Sequence, residues 1–255
     1  MAPRVSVTLR QFTADPEVML GSARRAEQLG FDGVFVFDHF FPLAGKDRPI
    51  FEGLTALAAV AAVTERIRVG SLVLRAPARP AWTTARAAWT VQAISGGRLV
   101  LGLGVSDRLS QDEFESYGLR FGTAAERVES LRRTLEALDA PELALPAVPG
   151  PEVWIGGRSA ELRRLAAARA SGWNQWGGSP EELRRSAREI RRAADRPLTI
   201  SWGGRVAMGP VVLDELQPYL AAGADELVLT LVGERSMERF AEEVLPALRD
   251  TRTRA

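Results

Sequence analysis

Cysteine is absent from the 255 residues, and histidine occurs once, at position 39. The first absence excludes disulfides, thiolate nucleophiles and thiolate-held metals. Together with a single histidine it argues against a zinc, copper or iron centre, because carboxylates alone seldom hold those ions. An excess of one charge is missing too: 33 basic residues, nearly all arginine, face 32 acidic ones, for a formal net charge of +1. That balance predicts neither a nucleic-acid nor a membrane partner. The longest apolar run, residues 54–63, is too short to cross a bilayer, and the opening Met-Ala-Pro-Arg-Val-Ser has no signal-peptide core. The expectation is a cytoplasmic protein without a metal. What is present, 46% hydrophobic and 25% charged residues, is an ordinary globular composition.

Taken in order, the chain alternates short apolar runs with segments of helical period. Runs at 5–9, 34–37, 67–74, 99–103, 153–155, 173–176, 198–202 and 226–231 read as strands. Helical stretches lie between them, several opened by a strong start signal. Asp15-Pro16 supplies N-cap and N1, and Ser179-Pro180-Glu181-Glu182 is a capping box with proline in the first turn. Residues 105–122 and 139–151 read as loops. Eight strand–helix units in one chain of this length match an α/β, (β/α)8 TIM barrel, a single domain over residues 1–250 with a polar tail at 251–255.

In such a barrel, chemistry lies in the loops that follow the strands. After the second strand come Asp38 and His39, an acceptor beside the only imidazole. After the third come Arg75 and Pro77, and after the fourth Gly-Val-Ser-Asp at 104–107. Gly156-Gly157 follows the fifth strand and Gly177-Gly178-Ser179 the sixth. Gly-Gly turns that open helices are candidate anion sites, since backbone amides and the helix dipole both favour negative charge; they also serve as plain tight turns. Trp173, Trp176 and Trp202 gather near the sixth and seventh strands, where packing and ligand stacking are both open readings. Gly102-Leu-Gly104 lacks the third glycine of a dinucleotide fingerprint.

Several stretches resemble the luciferase-like monooxygenase superfamily. They are Gly-Phe-Asp-Gly-Val-Phe-Val-Phe-Asp-His-Phe-Phe at 30–41, Thr-Glu-Arg-Ile-Arg-Val-Gly at 64–70 and Ile-Ser-Gly-Gly-Arg-Leu-Val-Leu-Gly-Leu-Gly at 94–104. Tyr-Gly-Leu-Arg-Phe at 117–121, Ile-Gly-Gly at 155–157, Ser-Gly-Trp-Asn at 171–174 and Ala-Gly-Ala-Asp-Glu-Leu-Val-Leu at 222–229 continue the likeness in the same order. The family fold is a (β/α)8 barrel and its members are usually homodimers. An Asp-His pair after the second strand looks like the branch that uses the deazaflavin coenzyme F420 rather than FMN.

The resemblance implies catalytic roles for His39, as general base or proton donor, for Asp38 and for Asp107. It implies cofactor contacts at Asp38, Leu72, Val73, Ser106, Gly156, Gly157, Trp176, Gly177, Gly178 and Ser179. Among these a non-prolyl cis peptide at Leu72-Val73 would support the ring, and residues 176–179 would form the phosphate loop. This chain departs from relatives in three places. Leu43 stands where enzymes acting on sugars or alcohols often carry Trp. Ser179 stands where some relatives have a base, leaving charge to backbone amides, Arg158 or Arg205. The connection before the fifth strand is short. The leading expectation is an F420-dependent oxidoreductase acting on a small organic substrate; an FMN-dependent monooxygenase and a non-catalytic flavin-binding barrel are the alternatives.

Overall fold

The computed structural model describes residues 2–41, 48–233 and 235–250, so Leu43 and the tail at 251–255 lie outside it. The strands are β1 (Arg4–Thr8), β2 (Gly33–Val36), β3 (Arg68–Ser71), β4 (Leu74–Arg75), β5 (Leu99–Gly104), β6 (Glu152–Gly156), β7 (Gly172–Trp176), β8 (Thr199–Ala207) and β9 (Glu226–Val232). All pair in parallel, in the order β3-β2-β1-β9-β8-β7-β6-β5-β4, and a further β3–β5 pairing closes the ring. β3 and β4 are halves of one barrel strand, interrupted at Leu72-Val73, whose peptide bond is cis. The closed sheet is therefore an eight-stranded (β/α)8 barrel.

Around it run α1 (Pro16–Gln28), α2 (Gly53–Val63), α3 (Ala81–Ile94), α4 (Gln111–Ser116), α5 (Ala124–Leu138), α6 (Ala160–Arg169), α7 (Pro180–Ala193), α8 (Val212–Ala221), α9 (Ser236–Glu243) and α10 (Leu245–Asp250). The caps expected from sequence form: Asp15 accepts from the Glu17 amide, and Ser179 with Glu182 makes a reciprocal capping box. Two readings need correction. Residues 105–122 are not a plain loop, because a 3₁₀ turn at Arg108–Ser110 runs into α4, and residues 139–151 contain a 3₁₀ turn at Pro141–Leu143. Both insertions are too short to show a helical period, so only tertiary packing reveals them.

Two apolar clusters organise the interior. The larger lies between strands and helices, and the smaller fills the barrel with Phe35, Leu72, Val100, Trp154 and Val228, with Val73 packed on it. The amino end of the barrel is closed by charge rather than by apolar groups. Arg4, Arg68, Glu152 and Glu226 each open their strand; Glu226 takes Arg4 Nε at 2.8 Å and Arg68 Nη1 at 2.6 Å, while Arg68 Nη2 reaches Glu152 at 2.7 Å. With that end plugged, the carboxyl end is left for chemistry.

Arg98, from the Ser-Gly-Gly-Arg turn, belongs to this lower half. Its guanidinium donates to the carbonyls of Ala61, Thr64, Ile67 and Ser95 and to the Thr64 hydroxyl, at 2.6–3.0 Å. It thereby satisfies the free carbonyls at the end of α2 that a helix cannot satisfy itself. Arg98→Ala is expected to cost about 2–4 kcal/mol, since several carbonyls lose a charged donor at once. Denaturant unfolding would measure this, and a change below about 0.5 kcal/mol would contradict it.

Candidate active site

The carboxyl mouth is floored by a side chain that its neighbours are shaped around. A Cβ added at Gly104 would meet Val73 Cγ2 at 2.5 Å, and one at Gly156 would meet Val73 Cγ1 at 2.7 Å. Glycine at both strand ends thus lets Val73 settle on the barrel's inner cluster and present an apolar floor. Aromatic rings stand beside it. Phe37 stacks on Phe12 with centroids 5.9 Å apart, meets Trp176 edge-on at 5.8 Å and lies 6.4 Å from His39. Trp176 is 38% exposed, and Gly203 makes room for it, since a Cβ there would meet the indole at 2.5 Å. The two tryptophans grouped with it in the sequence, Trp173 and Trp202, pack. Trp173 is buried and donates to Gly157 O at 2.9 Å, and Trp202 stacks on Tyr219 at 3.8 Å.

Beside this apolar wall lies a row of charges. His39 Nδ1 is 2.7 Å from Glu113 Oε1, and Glu113 Oε2 accepts from the Phe40 amide at 3.0 Å and Arg75 Nη1 at 2.6 Å. Arg75 is sandwiched by Phe40 and Phe114, with its guanidinium 4.4 and 5.2 Å from the ring centroids. Its Nε sits 3.7 Å from Asp38, and its backbone amide donates to Asp38 at 2.8 Å. Arg79 completes the row with two bonds to Asp38, at 2.8 and 2.6 Å, and one to Glu52, which caps α2 through the Leu54 and Thr55 amides. Burial alone would push the Glu113 carboxyl up. The His39 bond, the Phe40 amide and the Arg75 charge override it and hold Glu113 below the ordinary carboxylate range.

The structure thus brings Asp38 and His39 to one mouth but gives their side chains different surroundings. Asp38 is buried under two guanidinium groups, whereas the His39 side chain is 21% exposed, with only Nδ1 engaged by Glu113. Asp107 is exposed and caps the 3₁₀ turn, accepting from the Leu109 amide at 3.0 Å and the Ser110 hydroxyl at 3.3 Å. Ser106 has φ of 62°, a region few residues other than glycine adopt, and its enclosed hydroxyl has no hydrogen-bond partner among the described residues; Arg75 Nε and Nη2 are enclosed in the same way. Gly157, with φ of 135°, turns β6 into α6. Gly177 and Gly178, at 65° and 77°, turn β7 toward α7, with Ser179 as N-cap.

Glu113, Arg79 and Glu52 were not among the expected residues. Glu113 lies 74 residues from His39 on a six-residue helix. The acidic cluster Asp112, Glu113 and Glu115 reads from sequence as a solvated face.

Fold and mouth together define a (β/α)8 barrel of the enzyme type, with its titratable groups collected where the strands end. The chain belongs to the luciferase-like monooxygenase family, whose sequence model matches residues 2–237. An uncharacterized protein of Mycobacterium tuberculosis is 32% identical over 232 residues, covering 78% of each chain. An F420-dependent glucose-6-phosphate dehydrogenase of Amycolatopsis mediterranei is 27% identical over 92% of this chain and 95% of its own. Among solved structures, an F420-dependent secondary alcohol dehydrogenase in complex with an F420–acetone adduct superposes with a TM-score of 0.83. It shares 15% identity and covers 98% of this chain and 100% of its own. Among the described residues no helix is long and apolar enough to cross a membrane.

Proposed function

We propose that this chain is an F420-dependent oxidoreductase acting on the alcohol–carbonyl couple of a small organic substrate, with His39 as its acid–base group. The observation that carries the reading is the His39–Glu113 contact of 2.7 Å, made through Nδ1 alone. A buried carboxylate on Nδ1 fixes the ring and selects the tautomer that leaves Nε2 as acceptor. An imidazole so placed can take the hydroxyl proton of an alcohol as its carbon gives up a hydride, and return it in the reverse direction. Bound F420 would supply the two-electron hydride chemistry. Relatives and solved structures whose names carry F420 support the choice of coenzyme.

The residues present fit the ring of such a group. Val73 would support one face, Gly104 and Gly156 keep the strand ends low, and Trp176 with Phe37 would bound the edge. Ser106, whose hydroxyl has no partner among the described residues, and Gly157 would take polar positions around it. In this reading Asp38 holds its place through Arg79 and keeps the row of charges in register. The family description also supports the FMN-dependent monooxygenase as a second reading.

A fluorescence titration separates the two. Saturable binding of F420 at micromolar concentration, tighter than that of FMN, is the expected result. Binding of FMN alone would move the chain to the monooxygenase reading. Binding of neither would remove the cofactor assignment.

A further inference from the structure

At the head of α7, the turn Gly177-Gly178-Ser179 has the backbone shape of an anion site. Two glycines lie in the left-handed region, followed by the first amides of a fourteen-residue helix whose dipole favours negative charge. The site's own atoms already use part of that capacity. The Ser179 amide donates to Glu182 Oε2 at 3.1 Å, and the Ser179 hydroxyl approaches the Glu182 amide at 3.3 Å. The Gly177 amide donates across the sheet to Gly203 O at 2.7 Å.

Arg158 lies beside the turn, and its Nη2 bonds the same Glu182 oxygen at 2.8 Å. The Glu182 carboxylate also lies against Gly178, where an added Cβ would run into it. The remaining faces of the turn are fixed by Trp202 Nε1 and Gln175 Nε2 on Gly177 O, and by the Tyr219 hydroxyl on Gly178 O, at 3.0–3.1 Å.

We infer that Glu182 occupies the anion position at the head of α7. This chain therefore holds a flavin or deazaflavin by its ring and sugar-alcohol chain, with little preference for a 5′-phosphate. The inference rests on the cofactor reading above and restricts it: the ring fits this mouth and the phosphate does not. A phosphate arriving at the turn would have to displace Glu182 from both Ser179 and Arg158 while facing its like charge. Glu182 is thus a specificity-determining residue, and its carboxylate stands where the ligand's anion would go.

The test compares compounds that differ by the phosphate alone: riboflavin with FMN, and the deazaflavin ribitol with its 5′-monophosphate. Each is titrated by fluorescence into the native protein and into Glu182→Gln. Glutamine keeps an oxygen for the Ser179 amide and removes the charge, and circular dichroism confirms that the variant is folded. The expected result is a phosphate preference below about fivefold in the native protein, rising about tenfold further in Glu182→Gln while the phosphate-free affinity stays constant. A larger native preference, or a ratio unmoved by Glu182→Gln, would overturn the inference and leave the cofactor reading standing. Failure of all four compounds to bind would overturn the cofactor reading, and the inference with it.

Discussion

Turnover by His39→Ala is expected to fall about 10²–10⁴-fold, the range over which a positioned acid–base group contributes. Binding of the cofactor should persist, because the apolar floor at Val73 and the wall of Phe37 and Trp176 do not depend on the imidazole. Imidazole added to the assay should recover part of the loss, since a base of the same chemistry can enter the space left by the side chain. Glu113→Gln tests the other half of the pair. Its amide can donate to Nδ1 as well as accept from it, so the ring is no longer held to one tautomer. We expect about a 10–100-fold loss in kcat with KM nearly unchanged, the mark of a residue that positions another rather than binding substrate. The assay follows F420 absorbance across a panel of small alcohols. A His39→Ala variant that keeps native turnover, or a Glu113→Gln variant whose loss appears only in KM, would refute these roles.

How much of this was legible beforehand depends on the range of the interaction. The strand ending in Asp38-His39 is a local pattern, and so are the Gly-Gly turns, and all stand at the carboxyl mouth. The partner of His39 is not local. Glu113 sits on a helix too short for periodicity, in an acidic cluster whose ordinary meaning is exposure, and only barrel closure buries it. Arg79 gives no cue either, because nothing in Ala-Arg-Pro-Ala tells a solvated arginine from one clamped on Asp38. The α7 turn shows a different limit. Its capping box and its anion-site glycines were both visible in Gly-Gly-Ser-Pro-Glu-Glu, but that one excludes the other is a matter of geometry, because the same Ser179 amide cannot serve a side chain and a ligand together.

Asp38→Ala should be the most destabilising change at the mouth, at about 3–5 kcal/mol, because it leaves buried guanidinium groups without their counter-charge. Asp38 accepts three bonds, from the Arg75 amide and both terminal nitrogens of Arg79, and its side chain is only 1% exposed. Burial opposes the charge on Arg79, yet the bonds to Asp38 and the field of Asp38 and Glu52 reverse that and raise its pKa. Removing both partners, in Asp38→Ala/Arg79→Met, should cost less than the sum of the two single changes, since no orphaned charge then remains at this pair. The same row of charges predicts acid sensitivity. Glu113 and Glu52 have folded-state pKa values below the ordinary 4.5, so their stabilisation is fully present above that value and is lost as pH falls through the lower folded values. Unfolding in urea at neutral pH and at successively lower pH measures both effects. Strict additivity of the two substitutions, or a stability that does not decline on acidification below the ordinary carboxylate range, would show that the row is not the frame that holds His39 in place.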